Sequence, residues 1–254
     1  MKLTKSLLSI ALAAGLSANA SAEMLWSSNS LTYLKSLQEF EVLTNDDVDV
    51  FTLEHASGHN WGDVFIFADR ITASADADAP KHNETYMEVS ARLSLDYAFG
   101  LKHDSDIVKD TFIAGTWENS SVSEPNFSTG FDNYLLGVGV AWNVPGFTYL
   151  GTNFYRANNE LTDNDEQITV TWGYPIVIGQ HKIMIDGYID WSSAADDHAA
   201  DFHFNPQVRL DVGNYFDKPN TVDVGIEYSY WHNKFGLDFL DDEHVVSAIV
   251  KVYL

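Results

Sequence analysis

Residues 86–97 read YMEVSARLSLDY, and the polarity of the side chains alternates along the whole stretch. The odd positions from 87 to 97 are apolar or aromatic. The even positions carry the polar set, which is Tyr86, Glu88, Ser90, Arg92, Ser94 and Asp96. Because successive side chains of a strand point to opposite faces, this period of two predicts a β-strand with one apolar and one polar face.

The same alternation recurs through most of the chain. It is clear within 133–143, 167–174, 182–191, 202–212, 222–231 and 246–254, and weaker near 31–41, 46–56, 61–70, 108–117 and 147–156. Together these segments predict about twelve strands of roughly 9–11 residues, the length that crosses a bilayer at the usual barrel tilt. An even number of strands suits a single-chain bacterial barrel. The predicted fold class is all-β, a transmembrane antiparallel β-barrel of about 12 strands.

The connections between these strands have their own pattern. Short links at 57–60, 143–146 and 175–180 alternate with longer polar links near 71–84, 118–130, 157–166, 192–200 and 232–244, while the links near 98–107 and 213–219 are intermediate. Outer-membrane barrels have short periplasmic turns and long outer loops.

Aromatic residues near the strand ends also favour an outer-membrane barrel, because its aromatic girdles lie at the two membrane interfaces. They are Tyr97, Trp142, Tyr174, Trp191, Tyr228 and Tyr230.

A soluble β-sandwich exported to the periplasm is the main alternative, because its strands alternate as well. The strand length and the asymmetry of the links favour the barrel. The final segment, HVVSAIVKVYL at residues 244–254, also alternates as barrel-insertion signals do, although Leu254 stands where such signals usually end in Phe.

The N-terminus predicts export. Residues 1–22 combine Lys2 and Lys5, an apolar run from Leu7 to Leu16 and the small residues 20–22, which is the pattern of a cleaved secretory signal peptide. Residues 23–254 then form one outer-membrane barrel domain of a Gram-negative bacterium.

The chain has no cysteine, which excludes disulfides and Cys metal clusters. Its net charge of −23 argues against nucleic-acid partners.

In a barrel of this size the polar faces of the strands line a lumen. The hairpin at residues 51–70 fits this scheme if its Asp/Phe face points inward and Arg70 lies at the outer rim. A Lys or Arg side chain that faces lipid costs about 2–4 kcal/mol at the midplane, and an acidic one costs less. The predicted lumen-lining residues, all candidates for a solute path, are Asp63, Phe65, Phe67, Asp69, Tyr86, Glu88, Arg92, Lys182, Asp186, Tyr188, Arg209, Asp211, Asp223, Glu227 and Trp231.

The same hairpin raises the question of a metal site. Glu54 and His55 are neighbours on a strand and diverge, and His59 is predicted to lie in the turn, so these side chains and Asp63 do not converge on one point. The sequence therefore predicts no metal, no cofactor and no catalytic residue.

Aromatic rings beside carboxylates suit a neutral solute with a flat apolar part and hydroxyl groups, such as a nucleoside, since bases stack on aromatic rings. A generic hydrated lumen explains the same residues.

Four segments, in this order, resemble the Tsx-type nucleoside-specific outer-membrane channels. They are FTLEHASGHNWGDVFIFADR (51–70), ETYMEVSARLSLD (84–96), NYLLGVGVAWNVPGFTYLGTNFYRANN (133–159) and VDVGIEYSYWHNKFG (222–236). The resemblance implies a twelve-stranded, monomeric barrel in the outer membrane whose solutes are nucleosides. The outer loops are shorter here than in that family, and no individual binding residue is carried over.

Three functions remain open. The first is a passive, solute-selective channel. The second is an outer-membrane lipid hydrolase, which needs a Ser–His–acid set on the lipid-facing rim, and no Gly-x-Ser-x-Gly motif occurs. The third is a structural or surface-recognition barrel, whose acidic loops at 161–167 and 237–245 would contact phages, divalent cations or lipopolysaccharide. The channel is predicted because it requires no nucleophile and no cofactor.

Overall fold

A computed structural model describes residues 22–41, 47–75 and 81–254 of the protein. Twelve antiparallel strands form one closed barrel, which confirms the predicted fold. The strands are β1 (Met24–Ser36), β2 (Val48–His59), β3 (Gly62–Ala73), β4 (His82–Ser94), β5 (Val108–Glu124), β6 (Phe127–Trp142), β7 (Tyr149–Asn158), β8 (Glu166–Ile178), β9 (His181–Ser192), β10 (Asp201–Asp211), β11 (Val222–His232) and β12 (Glu243–Tyr253).

Each strand pairs with its neighbours in the sequence, and the barrel closes where β1 pairs with β12. This last pairing runs from Ser30 opposite Tyr253 to Ser36 opposite Ser247. Closure satisfies the backbone groups that an open sheet edge would leave exposed, which a barrel needs in lipid. In the part of the chain that the structure describes, no helix is long and apolar enough to cross a membrane. The predicted signal peptide lies outside the described residues except for Ala22 and stays a prediction.

The alternation predicted from the sequence separates the two faces of the wall. On β11, Asp223 and Ser229 are buried inside the barrel, whereas Val224 and Ile226 are exposed on the outside. A slip of one residue would exchange the two faces and turn charged side chains toward lipid, so the register is strongly specified. The apolar outer faces of the other strands follow the predicted phase.

The hairpin of β2 and β3 turns at Asn60 and Trp61, and β2 continues as a strand to His59. The predicted turn at 57–60 is therefore displaced toward the C-terminus, and His59 stacks on Trp61 with ring centroids 4.9 Å apart. Gly62 follows the turn with φ +146°, and a Cβ there would lie 1.8 Å from the carbonyl oxygen of Arg92. Only glycine fits this close approach of β3 to β4.

One predicted loop is wrong. Residues 118–130 were expected to form a long polar link, but β5 and β6 continue through this region as strands of 17 and 16 residues joined at Pro125 and Asn126. This segment is rich in Ser and Asn and its polarity alternates only weakly, so the sequence did not predict the two strands. The other long links are confirmed at 159–165, 193–200 and 233–242, on the side of the barrel opposite the short turns. The link predicted at 71–84 lies partly outside the described residues, and β3 continues to Ala73 before it.

The intermediate link after β4 contains a short helix, α1 (Leu95–Phe99). The Ser94 side chain accepts a hydrogen bond from the Tyr97 backbone N–H at the start of α1, and Gly100 ends it with φ 68°. These are the usual caps of a helix start and end. Tyr97, predicted to belong to the aromatic girdle of a strand, lies in this helix.

Part of the barrel interior is dry. Leu34, Val50 and Ile249 face inward on β1, β2 and β12 and form a buried cluster with Val48 and Ala73. Phe40, from the link after β1, packs against this cluster. Apolar side chains thus fill the interior beside the closing strands. A second buried apolar cluster, formed by Ala114, Leu135, Tyr155 and Ala157, lies on the inner face of β5, β6 and β7.

Candidate solute path

The register places every predicted lumen residue on the inner face of the wall. These side chains lie at two levels. The paired band lies toward the short-turn end and consists of Glu54, Asp63, Arg92, Asp186, Arg209, Asp223 and Lys251. The acidic band lies toward the long-loop end and consists of Asp69, Glu88, Glu118, Asp190 and Glu227.

Arg92 forms the first ion pair of the paired band. Its Nε and Nη2 donate to the two carboxylate oxygens of Asp63 over 2.8 and 2.7 Å, and its guanidinium lies 4.4 Å from the centroid of the Phe112 ring. A bidentate pair stacked on a ring has a fixed geometry that Lys would not reproduce. Gly139 and Gly151 leave room for the Arg92 side chain, since a Cβ at either position would contact it.

Arg209 is the most buried cation of the band, with 4 % of its area exposed. Its Nη1 and Nη2 donate to Asp186 over 2.7 and 2.6 Å, and its Nε donates to Asp223 over 3.4 Å. The Tyr253 hydroxyl donates a further hydrogen bond to Asp223 over 2.9 Å. Two carboxylates and one guanidinium thus form a satisfied network that connects β9, β10, β11 and β12.

Lys251 completes the band across the closing strands. Its Nζ lies 2.6 Å from Glu54, which also accepts a hydrogen bond from the Ser30 hydroxyl over 3.2 Å. This contact joins β12 to β2 across β1. Neither Glu54 nor Lys251 was among the predicted lumen residues. Glu54 lies in the weakly alternating segment 46–56, whereas Lys251 lies in the clear segment 246–254, whose inward face was not assigned to the solute path.

The acidic band has a different composition. Its carboxylates accept hydrogen bonds from neutral groups: Thr52 donates to Asp69 over 2.6 Å, Tyr86 to Glu88 over 2.7 Å and Asn133 to Glu118 over 3.1 Å. None of the ion pairs formed within residues 22–41, 47–75 and 81–254 includes a carboxylate of this band. The carboxylates of this band therefore form no ion pair with any cation among the described residues.

Two members of the band oppose each other directly. Glu88 on β4 and Glu118 on β5 are register partners on the same inner face. Like charges at such positions destabilise a sheet, so their presence is not explained by the stability of the barrel. Glu118 and Asp190 were missed as candidates, Glu118 because it lies in the segment that was assigned to a loop.

Aromatic rings form a ladder beside the acidic band on one wall. Phe65, Phe67, Tyr86 and Phe131 follow one another with centroid separations of 5.9, 5.7 and 6.4 Å. The ladder begins near the middle of the lumen and rises toward the long-loop end, because Phe131 lies in the extended part of β6. Three of its four rings were predicted to line the lumen.

A second ladder lies on the opposite wall. Tyr188 contacts His203 with centroids 5.1 Å apart, and the His203 ring stacks on Trp231 at 4.1 Å with an angle of 4° between the planes. Phe235 follows Trp231 at 4.9 Å. His203 was not predicted, and its Nε2 contacts the Ser229 hydroxyl over 3.1 Å, which fixes the ring.

Two predicted residues lie away from both bands. Lys182 is half-buried near the short-turn mouth and belongs to none of the ion pairs found among the described residues. Asp211 is buried, and its carboxylate accepts hydrogen bonds from the backbone N–H groups of Asn214 and Asn220 over 3.0 and 2.9 Å. Asp211 therefore holds the link between β10 and β11.

At the outer end, a buried histidine connects two of the long loops. His198 Nδ1 lies 2.7 Å from Asp197, and its Nε2 lies 3.3 Å from Asp165. Burial lowers the pKa of His198, but the hydrogen bond to Asp197 and the charge of Asp165 outweigh burial and raise the pKa above its ordinary value. The hydrogen bond from His198 also lowers the pKa of the exposed Asp197 carboxyl.

The two bands and the two ladders define what the lumen can bind chemically. Aromatic faces stack flat apolar groups, and uncompensated carboxylates accept hydrogen bonds from hydroxyl and amino groups. In the described part of the chain, no group of three or more His, Asp or Glu side chains is placed to hold a metal ion. The site is suited to a neutral or cationic organic solute that has a ring and hydroxyl groups.

Comparison with known proteins gives a family match over almost the whole described chain. The family described as nucleoside-specific channel-forming protein, Tsx, matches residues 23–251. No curated protein matches the chain. Among solved structures, the KdgM porin in complex with disordered oligogalacturonate is 10 % identical, with 88 % of this chain and 98 % of that chain covered and a TM-score of 0.46. The translocator domain of the autotransporter NalP from Neisseria meningitidis is 12 % identical, with coverages of 96 % and 92 % and a TM-score of 0.41.

Proposed function

The chain belongs to the family of nucleoside-specific channel-forming proteins, Tsx, and we propose that its solutes cross the barrel along the two aromatic ladders and through the acidic band. The protein is a passive channel of the Gram-negative outer membrane for small solutes such as nucleosides. Family membership implies transport through the lumen, a function that requires no catalytic residue there. The observation that carries the proposed path is that five inward carboxylates form no ion pair with any described residue while aromatic rings flank them.

A nucleoside matches this lumen group by group. Its base stacks on the rings of Phe67 or Trp231, as bases stack on aromatic side chains generally. Its ribose hydroxyls donate to Glu88, Glu118 or Asp190, which hold only neutral donors in the structure. A phosphorylated solute would meet repulsion from the acidic band, so nucleosides are favoured over nucleotides.

The paired band would then form the periplasmic end of the path. Its carboxylates are already bound to Arg92, Arg209 and Lys251, so they have less capacity to accept hydrogen bonds from a solute. Release from the acidic band toward the periplasm passes these neutralised groups, where binding is weaker. Conduction requires binding sites whose affinity is low enough for the solute to dissociate.

We also propose that the protein acts as a monomer, because one chain closes the barrel. The alternative of surface recognition through the acidic loops has less support. Asp242 accepts hydrogen bonds from Tyr230 over 2.9 Å and contacts His232 over 2.7 Å, and Asp165 accepts one from Asn159 over 3.0 Å. These contacts within the chain occupy carboxylates that a divalent cation would need.

Planar-bilayer conductance of the refolded protein tests the proposal. Adenosine added in increasing amounts is expected to block the conductance saturably, while glucose at the same concentration leaves it unchanged. Conductance that adenosine does not block would reduce the protein to a general small pore. A folded barrel without conductance would contradict the channel itself.

A further inference from the structure

A polar cluster interrupts the apolar outer face of the barrel near its short-turn end. Asn29, His55, Ser57 and His59 face outward on β1 and β2, on the same face as the exposed Leu53. Outside the lumen, such side chains meet lipid rather than water. Ionisable and polar groups at a lipid-facing position are costly, and they mark functional sites by default.

The cluster forms a chain of hydrogen bonds. His55 Nδ1 lies 2.8 Å from the side-chain oxygen of Asn29, and His55 Nε2 lies 3.0 Å from the Ser57 hydroxyl. His59 Nε2 lies 3.1 Å from the same hydroxyl. Ser57 therefore stands between two imidazoles, and Asn29 orients one of them.

With both imidazoles neutral, one placement of the protons gives each of these contacts a donor and an acceptor. The amide oxygen of Asn29 cannot donate, so His55 carries its proton on Nδ1 and leaves Nε2 free to accept. The Ser57 hydroxyl then donates to His55 Nε2. Because a hydroxyl has one proton, the remaining contact has His59 Nε2–H donating to the Ser57 oxygen.

This is the relay that activates a serine for acyl transfer, in which a base accepts the hydroxyl proton and a third group fixes the tautomer of the base. We propose that Ser57 is the nucleophile of a second, lipid-facing site on this barrel, with His55 as its base and Asn29 as a positioning residue. The substrate class is the acyl ester of a membrane lipid. The proposal does not depend on transport through the lumen.

The position of the site selects the lipid. The short turns of outer-membrane barrels lie on the periplasmic side, and Ser57 lies just before the short turn at Asn60 and Trp61. A phospholipid ester of the periplasmic leaflet would reach it from the apolar surface formed by Leu53 and by Val64, the β3 register partner of Ser57. His59 and Trp61 stack at this edge, where the leaflet meets water.

The reaction balances with water as the second substrate. The Ser57 oxygen attacks the ester carbonyl while its proton moves to His55 Nε2, and the bond from the carbonyl carbon to the lipid alcohol breaks as that alcohol takes the proton. Water then attacks the acyl-serine and gives its proton to His55. The fatty acid leaves, and the proton returns to Ser57. No oxidant, reductant or metal takes part.

His59 is placed to assist the charged intermediate. Its Nε2–H points at the Ser57 oxygen in the resting state, and it can donate to the adjacent carbonyl oxygen once the ester bond forms. Ser57 is only 2 % exposed beneath the two imidazoles. A lipid must therefore displace the His59 ring, and we expect slow turnover.

Labelling with a long-chain fluorophosphonate tests the site. On the full-length protein refolded in phospholipid vesicles, the probe forms a bond from the Ser57 oxygen to phosphorus and releases fluoride, and peptide mass mapping identifies the modified residue. The matched control is Ser27→Ala, because Ser27 is the register partner of Ser57 on the same face. Mobility of the unheated protein on gels verifies that each variant is folded.

We expect Ser57→Ala to abolish labelling and fatty-acid release from the vesicles, and Ser27→Ala to leave both unchanged. His55→Gln should slow labelling at least 100-fold. Asn29→Ala should slow it less, and Asn29→Asp, which keeps an oxygen acceptor for His55 Nδ1, should restore the rate. Labelling of another residue, or labelling of Ser57 at the same rate in His55→Gln, would overturn the proposal, as would a folded wild-type barrel that takes up no probe.

Discussion

The paired band and the acidic band occupy the same wall and arise from the same alternation, yet they differ in how their charges are satisfied. In the paired band, each of Arg92, Arg209 and Lys251 lies within 2.7 Å of a carboxylate oxygen. In the acidic band, Glu88 and Glu118 face each other, and neither forms an ion pair with a described residue. Alternation decides which residues face the lumen, whereas the distribution of cations decides what those residues do there.

The difference indicates a division of roles. A buried charge that keeps its partner stabilises the wall, and losing the partner is expensive. A carboxylate held only by a hydroxyl or an amide can still accept hydrogen bonds from a passing solute. We therefore expect substitutions in the paired band to change stability first, and substitutions in the acidic band and the ladders to change transport first.

The largest effect is expected for Arg209→Ala. The substitution leaves Asp186 and Asp223 buried without their cation, so the free energy of unfolding should fall by about 3–5 kcal/mol. Urea unfolding of the barrel in vesicles, followed by tryptophan fluorescence, measures the loss. Lys182→Ala is the matched control, with an expected change below about 1 kcal/mol. Equal losses for the two variants would remove the distinction between the bands.

Phe67→Ala should mainly affect solute binding. Stacking of a base on an aromatic ring contributes about 1–3 kcal/mol, so the adenosine concentration that gives half-maximal block should rise by roughly 5- to 150-fold. Phe154→Ala removes an equal ring from the exposed outer face and should leave the block unchanged. Weakening of the block by both variants to the same extent would show that the ladder is not the path.

The double variant Glu88→Gln with Glu118→Gln tests the acidic band. Removing two like charges that oppose each other should raise stability by about 0.2–1 kcal/mol. We expect the carboxylates of the acidic band to make the conductance cation-selective, so the reversal potential in a KCl gradient should shift toward zero in this variant. Asp238→Asn with Asp241→Asn removes the same charge from the outer link 233–242. If this loop variant shifts the reversal potential as much, the selectivity comes from net charge rather than from the band.

The smallest effect is expected at the outer loops as pH rises. The pKa of His198 is raised in the folded protein. Its contribution to the stability of the outer loops is therefore present below the unfolded pKa of about 6.5, and it is lost as pH rises through the folded pKa. Ala199 donates its backbone N–H to Gly236 over 3.0 Å. Hydrogen exchange at Ala199, corrected for intrinsic rates, should become faster across this range. His198→Gln should remove the pH dependence, and its persistence would assign the effect to another group.

The sequence predicted the barrel and the facing of its residues because both follow from a period of two that each strand carries by itself. It did not predict which charges pair, since Arg209 meets Asp186 and Asp223 only through the register of three strands. The long β5–β6 hairpin was missed because Ser120 and Ser121 give no apolar contrast at the positions that matter. Lys251 and Glu54 meet across β1, a contact that depends on closure of the barrel.

The most direct test of the account uses cysteines, since the chain contains none of its own. Phe67→Cys places a thiol in the ladder, and Ala68→Cys places one on the opposite face of the same strand. A charged, water-soluble maleimide should modify the thiol at position 67 and not the one at 68, and adenosine but not glucose should slow the reaction at 67. Reaction at 68, or a rate at 67 that adenosine leaves unchanged, would contradict the assignment of this wall to the solute path.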